Sequence, residues 1–151
     1  MTRSIIVAPR ADAIRSELQQ SYGRAFQCYA LAAAPDGSCE ALYKLGDMYA
    51  RGEAMPQNKK IAYELWNRSY QASTDIEEGC QPAFHMAEAQ MDPDAQDVYG
   101  CSFNPFTALT LYSQAEVGLR IAISNGMFYY KERLQQAIEG QAVARALLDQ
   151  R

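Results

Sequence analysis

The chain has 151 residues, of which 48% are hydrophobic and 21% charged, with a formal net charge of −4. A chain of this length buries about 70% of its unfolded surface in one domain and needs no disulfide or metal to fold. The balance excludes a disordered tail, and the scattered basic residues, densest at Lys59-Lys60, do not make the stripe expected of a nucleic-acid binder.

The first aliphatic run, Ile5-Ile6-Val7-Ala8, is too short for a signal-peptide core, and nothing later approaches the roughly 20 apolar residues of a spanning helix. The expectation is a cytoplasmic chain with no membrane partner; an exported chain whose leader has been removed stays open. Residues 9–34 are helical in pattern, weakly broken at Gly23 and stopped by Pro35-Asp36-Gly37.

From Cys39 onward the pattern sharpens. Ala41, Leu42, Leu45, Met48 and Tyr49 fall at helical spacing and form one apolar stripe. Gly46 sits within that stripe; a glycine there costs about 1 kcal/mol against alanine, which predicts close approach of a neighbouring helix. Gly52 supplies a left-handed stop, Pro56 blocks continuation, and Asn58 is a suitable N-cap for a second helix. In that helix Ala62, Leu65, Trp66 and Ser69 share a face. The unit at 39–73 is an antiparallel helix hairpin.

The second half of this unit recurs. Ala25, Cys28, Tyr29 and Ala32 match it upstream, and Ala108, Leu111, Tyr112 and Ala115 match it downstream, where Asn104-Pro105 reads as an N-cap and a first-turn proline. The downstream unit, 80–117, is longer because Asp92 to Phe103 replaces a short turn with a polar insertion, a type of segment that is often functional. Beyond it, 118–150 gives one or two closing helices. Gly126 marks a helix end and Gly140 a joint, with Ile138, Val143, Ala146 and Leu147 on the buried side. No strand or β-hairpin signal is present.

The segment Ala41-Leu42-Tyr43-Lys44-Leu45-Gly46-Asp47-Met48-Tyr49-Ala50-Arg51-Gly52 resembles the first helix of a Sel-one-like repeat, and Lys60-Ile61-Ala62-Tyr63-Glu64-Leu65-Trp66 resembles the second. The likeness covers most of residues 22–117. It departs in the third unit, where Ala87-Glu88 stands in place of Leu-Gly and Met91 in place of the tyrosine. The resemblance implies an all-α, right-handed α-α superhelix: a single solenoid domain of antiparallel hairpins, about six to eight helices in all, used as an adaptor surface without a shared active site. Secreted members of the family pair a cysteine late in the second helix with one opening the next repeat. Cys39 and Cys80 hold the latter position, but no cysteine lies near Ala32 or Ser69, which implies reduced thiols.

The candidate chemistry is sparse. His85 is the single histidine; with Glu88, Cys80 and Cys101 it offers a scattered donor set rather than a four-ligand zinc pattern. Cys101 has no base within sequence reach, and no nucleophile elbow is present. Asp92, Asp94 and Asp97 lack the glycine and the closing glutamate of a calcium loop. No catalytic residue, metal or cofactor is implied.

Aromatic residues are more informative. In tetratricopeptide-like hairpins the first helix lines the concave side, which implies that Glu40, Tyr43, Asp47 and Arg51 face a groove with His85 as neighbour. Tyr99 and Phe103 in the insertion would form a lip. Aromatics and arginine are common interface anchors. The expectation is a non-catalytic module holding a protein or peptide of unidentified nature, either as a monomer or as a weak homodimer. The alternatives are a self-associating structural subunit, pairing through Ile5-Ile6-Val7 or Met127-Phe128-Tyr129-Tyr130, and an enzyme using His85, Glu88 and Cys101. The 127–130 cluster serves either to close the core or to bind.

Overall fold

A computed structural model describes residues 20–30 and 38–150, and every regular element among them is helical. The predicted run Ile5-Ile6-Val7, the stop at Pro35-Asp36-Gly37, Ala32 and the two ends of the predicted helix 9–34 lie outside the described residues. Helix α1 covers 20–30, α2 Cys39–Arg51, α3 Lys59–Ala72, α4 Cys80–Gln90, α5 Ala95–Tyr99 and α6 Pro105–Ser124. A 3-10 turn over Phe128–Tyr130 runs into α7, Lys131–Asp149. Among the described residues no helix is long and apolar enough to cross a membrane.

The helix ends follow local chemistry. Ser38, Asn58 and Asn104 each place a side-chain oxygen on an orphan N–H of the first turn, at 3.4, 3.0 and 3.1 Å. Gly52 closes α2 in the left-handed region at φ 73°, its N–H on the Met48 carbonyl. Pro105 occupies the first turn of α6, where its missing N–H costs nothing.

Packing runs in sequence: α3 against both α2 and α4, α4 against α6, and α6 against α7. The seams are built from small residues. Ala62, Ala83, Ala87, Ala108, Ala115 and Ala137 are fully buried, and Trp66, Phe84, Tyr112 and Leu119 fill the spaces between them. Helices bearing alanine at the contact approach closely, so a ring on one helix needs a gap on the next.

Gly46 provides such a gap. A Cβ there would stand 2.6 Å from Trp66 Cδ1 and 2.7 Å from Nε1, so the pyrrole edge of the indole occupies the space a side chain would take, the close approach of a neighbouring helix that the sequence predicts. Gly140 provides another: a Cβ would run into the Tyr112 ring. It is therefore a contact, not the predicted joint, and α7 passes through it unbroken. The α2–α3 and α4–α6 pairs each carry a polar link as well. Trp66 Nε1 donates to Asp47 Oδ1 at 3.1 Å, and the Tyr112 hydroxyl donates to Glu88. In each case an aromatic on the second helix is tied to a carboxylate on the first.

Further expectations are corrected. Gly23 does not break its helix; a Cβ there would meet nothing within 4 Å, and α1 continues past it. Cys28, expected on the shared apolar face, is exposed. The boundary at 117 falls inside α6, a single 20-residue helix. On α7 the buried residues are Ala137, Gln141 and Ala144, whereas Val143 is 54% exposed and Ala146 is also at the surface. The polar insertion contains α5, which Gly100 terminates.

Candidate partner-binding groove

Helices α2, α3, α4 and α7 converge on one aromatic and polar cluster. His85 of α4 is sandwiched between two rings: Trp66 at 4.8 Å and 14°, and Tyr43 at 5.5 Å and 24°. Phe84 meets it edge-on at 5.7 Å. Asp47 Oδ1, already accepting from Trp66, lies 3.3 Å from His85 Nε2, but the two are not aligned as a hydrogen bond. From α7, Arg133 Nη1 donates to Gln81 Oε1 at 2.6 Å and to the Tyr43 hydroxyl at 3.3 Å, with its guanidinium 5.2 Å from the Phe84 ring centre.

This environment suppresses charge. Burial, then the cations of Arg133 and Arg51, push the His85 imidazole down to about 3. Burial raises the Asp47 carboxyl, against the pull of Arg51 and the Trp66 bond. Burial, then the Asp47 carboxylate, push the Tyr43 phenol up to about 12. A neutral imidazole held flat between two rings acts as a packing piece and a weak acceptor.

Beside the cluster lies a groove of about 570 Å³. Tyr43, Gln81, Tyr129 and Tyr130 line its walls, with Glu40 and Lys44 on the α2 side. The turn between α3 and α4 adds Asp75, Glu77 and Glu78. Gln81 is 8% exposed; its oxygen is fixed by Arg133, which leaves Nε2 without a partner. A buried amide donor in that state costs about 1–3 kcal/mol.

The sequence-predicted residues divide. Tyr43, Asp47 and His85 come together, and Glu40 stands exposed at the groove edge. Asp47, expected on an open groove face, is 8% exposed and committed to Trp66, because Gly46 lets the indole come within reach. Arg51 points to solvent, 61% exposed, 3.9 Å from Glu53. Tyr99 packs beside Trp66 at 6.4 Å under Lys59, so it is part of the core edge rather than a free lip. Phe103 is 43% exposed and joins no aromatic pair among the described residues. In the 127–130 cluster Tyr130 packs on the core, while Phe128 and Tyr129 are 63% and 73% exposed.

Gln81 and Arg133 escape the sequence reading. Arg133 meets Tyr43 across 90 positions, a separation that leaves no local signal.

The other candidate groups go to separate partners. Glu88 takes the Tyr112 hydroxyl, and burial raises the Cys101 thiol, against the character of a reactive thiolate. All four cysteines are free, and no group of three His, Cys, Asp or Glu side chains among the described residues is arranged to hold a metal ion. No protein-family model, curated protein or solved structure matches this chain.

Proposed function

We propose that the chain is a non-catalytic interaction module, a short solenoid of Sel-one-like hairpins, that holds a peptide or helix of a partner protein in the groove beside Tyr43. The repeat reading is supported by the α2–α3 hairpin and by the aromatic-to-carboxylate bond that recurs at Trp66–Asp47 and Tyr112–Glu88. The observation that carries the binding reading is the groove itself: about 570 Å³, walled by three tyrosines, with an unpartnered buried amide at its side. That volume falls within the range of ligand sites, and tyrosine is a favoured interface anchor. Catalysis has less support, since the lone histidine is stacked on both faces and held neutral.

Photo-crosslinking tests the reading. A photoreactive phenylalanine analogue is placed at position 129, in the groove, and in a separate protein at position 143, on the exposed side of α7. In lysate of the source cell, a discrete product formed from 129, absent from 143 and reduced when Glu40→Gln/Glu78→Gln is added at the groove edge, is the expected result. Identical products from both positions, or none, would remove the groove as the partner site.

Self-association is the second reading, favoured by the exposed rings of Phe128 and Tyr129. Light scattering across a concentration series separates the two: a mass that doubles with concentration and stays monomeric in Phe128→Ser/Tyr129→Ser supports self-association.

A further inference from the structure

Granting that the groove is a partner site, we infer that its occupant is an extended segment of another protein carrying a lysine or arginine. The charge of the lining comes first. Four carboxylates, Glu40, Asp75, Glu77 and Glu78, face it with one cation, Lys44. None of the four forms an ion pair among the described residues.

The three acids of the α3–α4 turn are instead held by neutral donors. Glu78 Oε1 accepts from the Thr74 N–H at 2.8 Å, Asp75 Oδ1 from the Glu78 N–H at 2.8 Å, and Glu77 Oε1 from Asn125 Nδ2 at 3.5 Å. Those bonds fix the carboxylates without neutralising them. Lys44, its ammonium over the Tyr43 ring at 5.6 Å, offsets only one of the four charges.

The second observation is independent of charge. Gln81 is nine-tenths buried in the groove wall, its oxygen is taken by Arg133, and its Nε2 lacks an acceptor. That atom is closed to solvent as the groove stands, so an occupant that relieves it displaces the wall slightly and brings a carbonyl. Helix carbonyls are spent on the i+4 N–H groups except at the last turn, whereas an extended strand presents free ones.

One ligand class meets both demands. A backbone carbonyl accepts from Gln81, and a neighbouring lysine or arginine reaches the carboxylates past the exposed Tyr129 ring, where a cation is further favoured. An acidic segment would meet repulsion at the rim, and a nucleic-acid backbone would meet it more strongly.

The test uses the full chain and degenerate peptide pools, acetylated and amidated, each with one fixed central residue: lysine, arginine, glutamate or norleucine. Binding is read by enrichment on the immobilised protein, against Glu77→Gln/Glu78→Gln and Tyr129→Ala variants verified as folded by circular dichroism. Glutamine keeps the acceptor oxygen that Thr74 uses, so the double variant removes charge and not the turn.

The expected result is retention of the lysine and arginine pools about tenfold above the glutamate pool, narrowing several-fold at raised salt and in the double variant. Pools with proline beside the fixed residue are retained as well as the others, since an extended segment tolerates it. Equal retention of norleucine or glutamate pools, reduced by Tyr129→Ala, would overturn the basic occupant and leave the groove standing. Loss of binding on introducing proline would overturn the extended backbone. Retention that is the same for every pool and unchanged by Tyr129→Ala would overturn the groove itself.

Discussion

Replacing Gly46 by alanine isolates the contact on which both the α2–α3 hairpin and the Asp47 environment depend. The added methyl has two opposing effects. Alanine is the better helix residue by about 1 kcal/mol, which favours the variant. Against this, the new Cβ would stand 2.6 Å from Trp66 Cδ1 and 3.2 Å from the Ala62 carbonyl oxygen, so the indole must move. Overpacking of a close seam costs about 1–3 kcal/mol. Displacing the indole also withdraws Nε1 from Asp47, leaving a buried carboxylate short of a donor, for about 1–3 kcal/mol more. The net is a destabilisation of about 3 kcal/mol, with the clash and the lost bond outweighing propensity. With a urea slope of about 2 kcal/mol/M, the midpoint falls by about 1.5 M. Far-UV circular dichroism is the proper readout, because Trp66 is the single tryptophan and its fluorescence changes with the local contact itself. Gly23→Ala is the control: its Cβ meets nothing within 4 Å, so the variant gains about 0.5–1 kcal/mol. A Gly46→Ala midpoint within about 0.3 M of the parent, or above it, would refute the reasoning.

Three further outcomes follow from the same cluster and its supporting helix. His85 is held to about 3 against an ordinary 6.5, so between those values the unfolded chain binds more protons and stability falls as pH drops. From neutral pH to about pH 4.5 the parent loses about 2–3 kcal/mol relative to His85→Phe, read by urea midpoints. The raised Asp47 carboxyl slopes the other way but is common to both proteins. Arg133→Leu removes the cation that, after burial, weighs most against a charged His85, so the imidazole pKa rises, a change that proton NMR reads without ambiguity in a chain with one histidine; the variant also loses about 1–3 kcal/mol from the orphaned Gln81 oxygen and Tyr43 hydroxyl. On α7, Val143→Glu changes thermal stability by less than about 0.5 kcal/mol, whereas Ala144→Glu costs more than about 3 kcal/mol, because the first side chain is in water and the second is fully buried.

That last pair marks where sequence stops informing structure. Short-range signals are legible: Asn58 and Asn104 cap helices because the acceptor lies three residues from its donor, and Gly46 announces a close approach because an apolar stripe surrounds it. The face of α7 is not legible from apolarity. Its seam, Ala137, Gln141 and Ala144 with Gly140 under the Tyr112 ring, is chosen by size, so the larger Val143 is left outside. Hydrophobic periodicity ranks valine above alanine and points to the wrong side. Asp47 fails for a related reason. An acid on a helix flank reads as solvated until the indole 19 residues later is known to cover it. The groove depends on Gln81 and Arg133, joined across 52 positions, and a pairing of that kind has no trace in either local pattern.

The same geometry determines which substitutions report on function. Tyr43 and Gln81 belong to the groove wall and to the core cluster at once: Tyr43 stacks on His85 and accepts from Arg133, and Gln81 is the other acceptor of that guanidinium. Removing either weakens folding and binding together, so a loss of partner in those variants has two causes. The groove edge differs. Glu40, Glu78 and Tyr129 are exposed and contribute little burial, so their neutralisation or truncation leaves the core contacts in place. A binding surface whose floor is structural and whose edge is charged assigns affinity and specificity to different residues. Under the proposed reading, the aromatic wall supplies the affinity and the carboxylates, paired with no cation, select among entrants by sign. Edge variants that alter selection at unchanged stability therefore carry the functional argument, and floor variants test the fold.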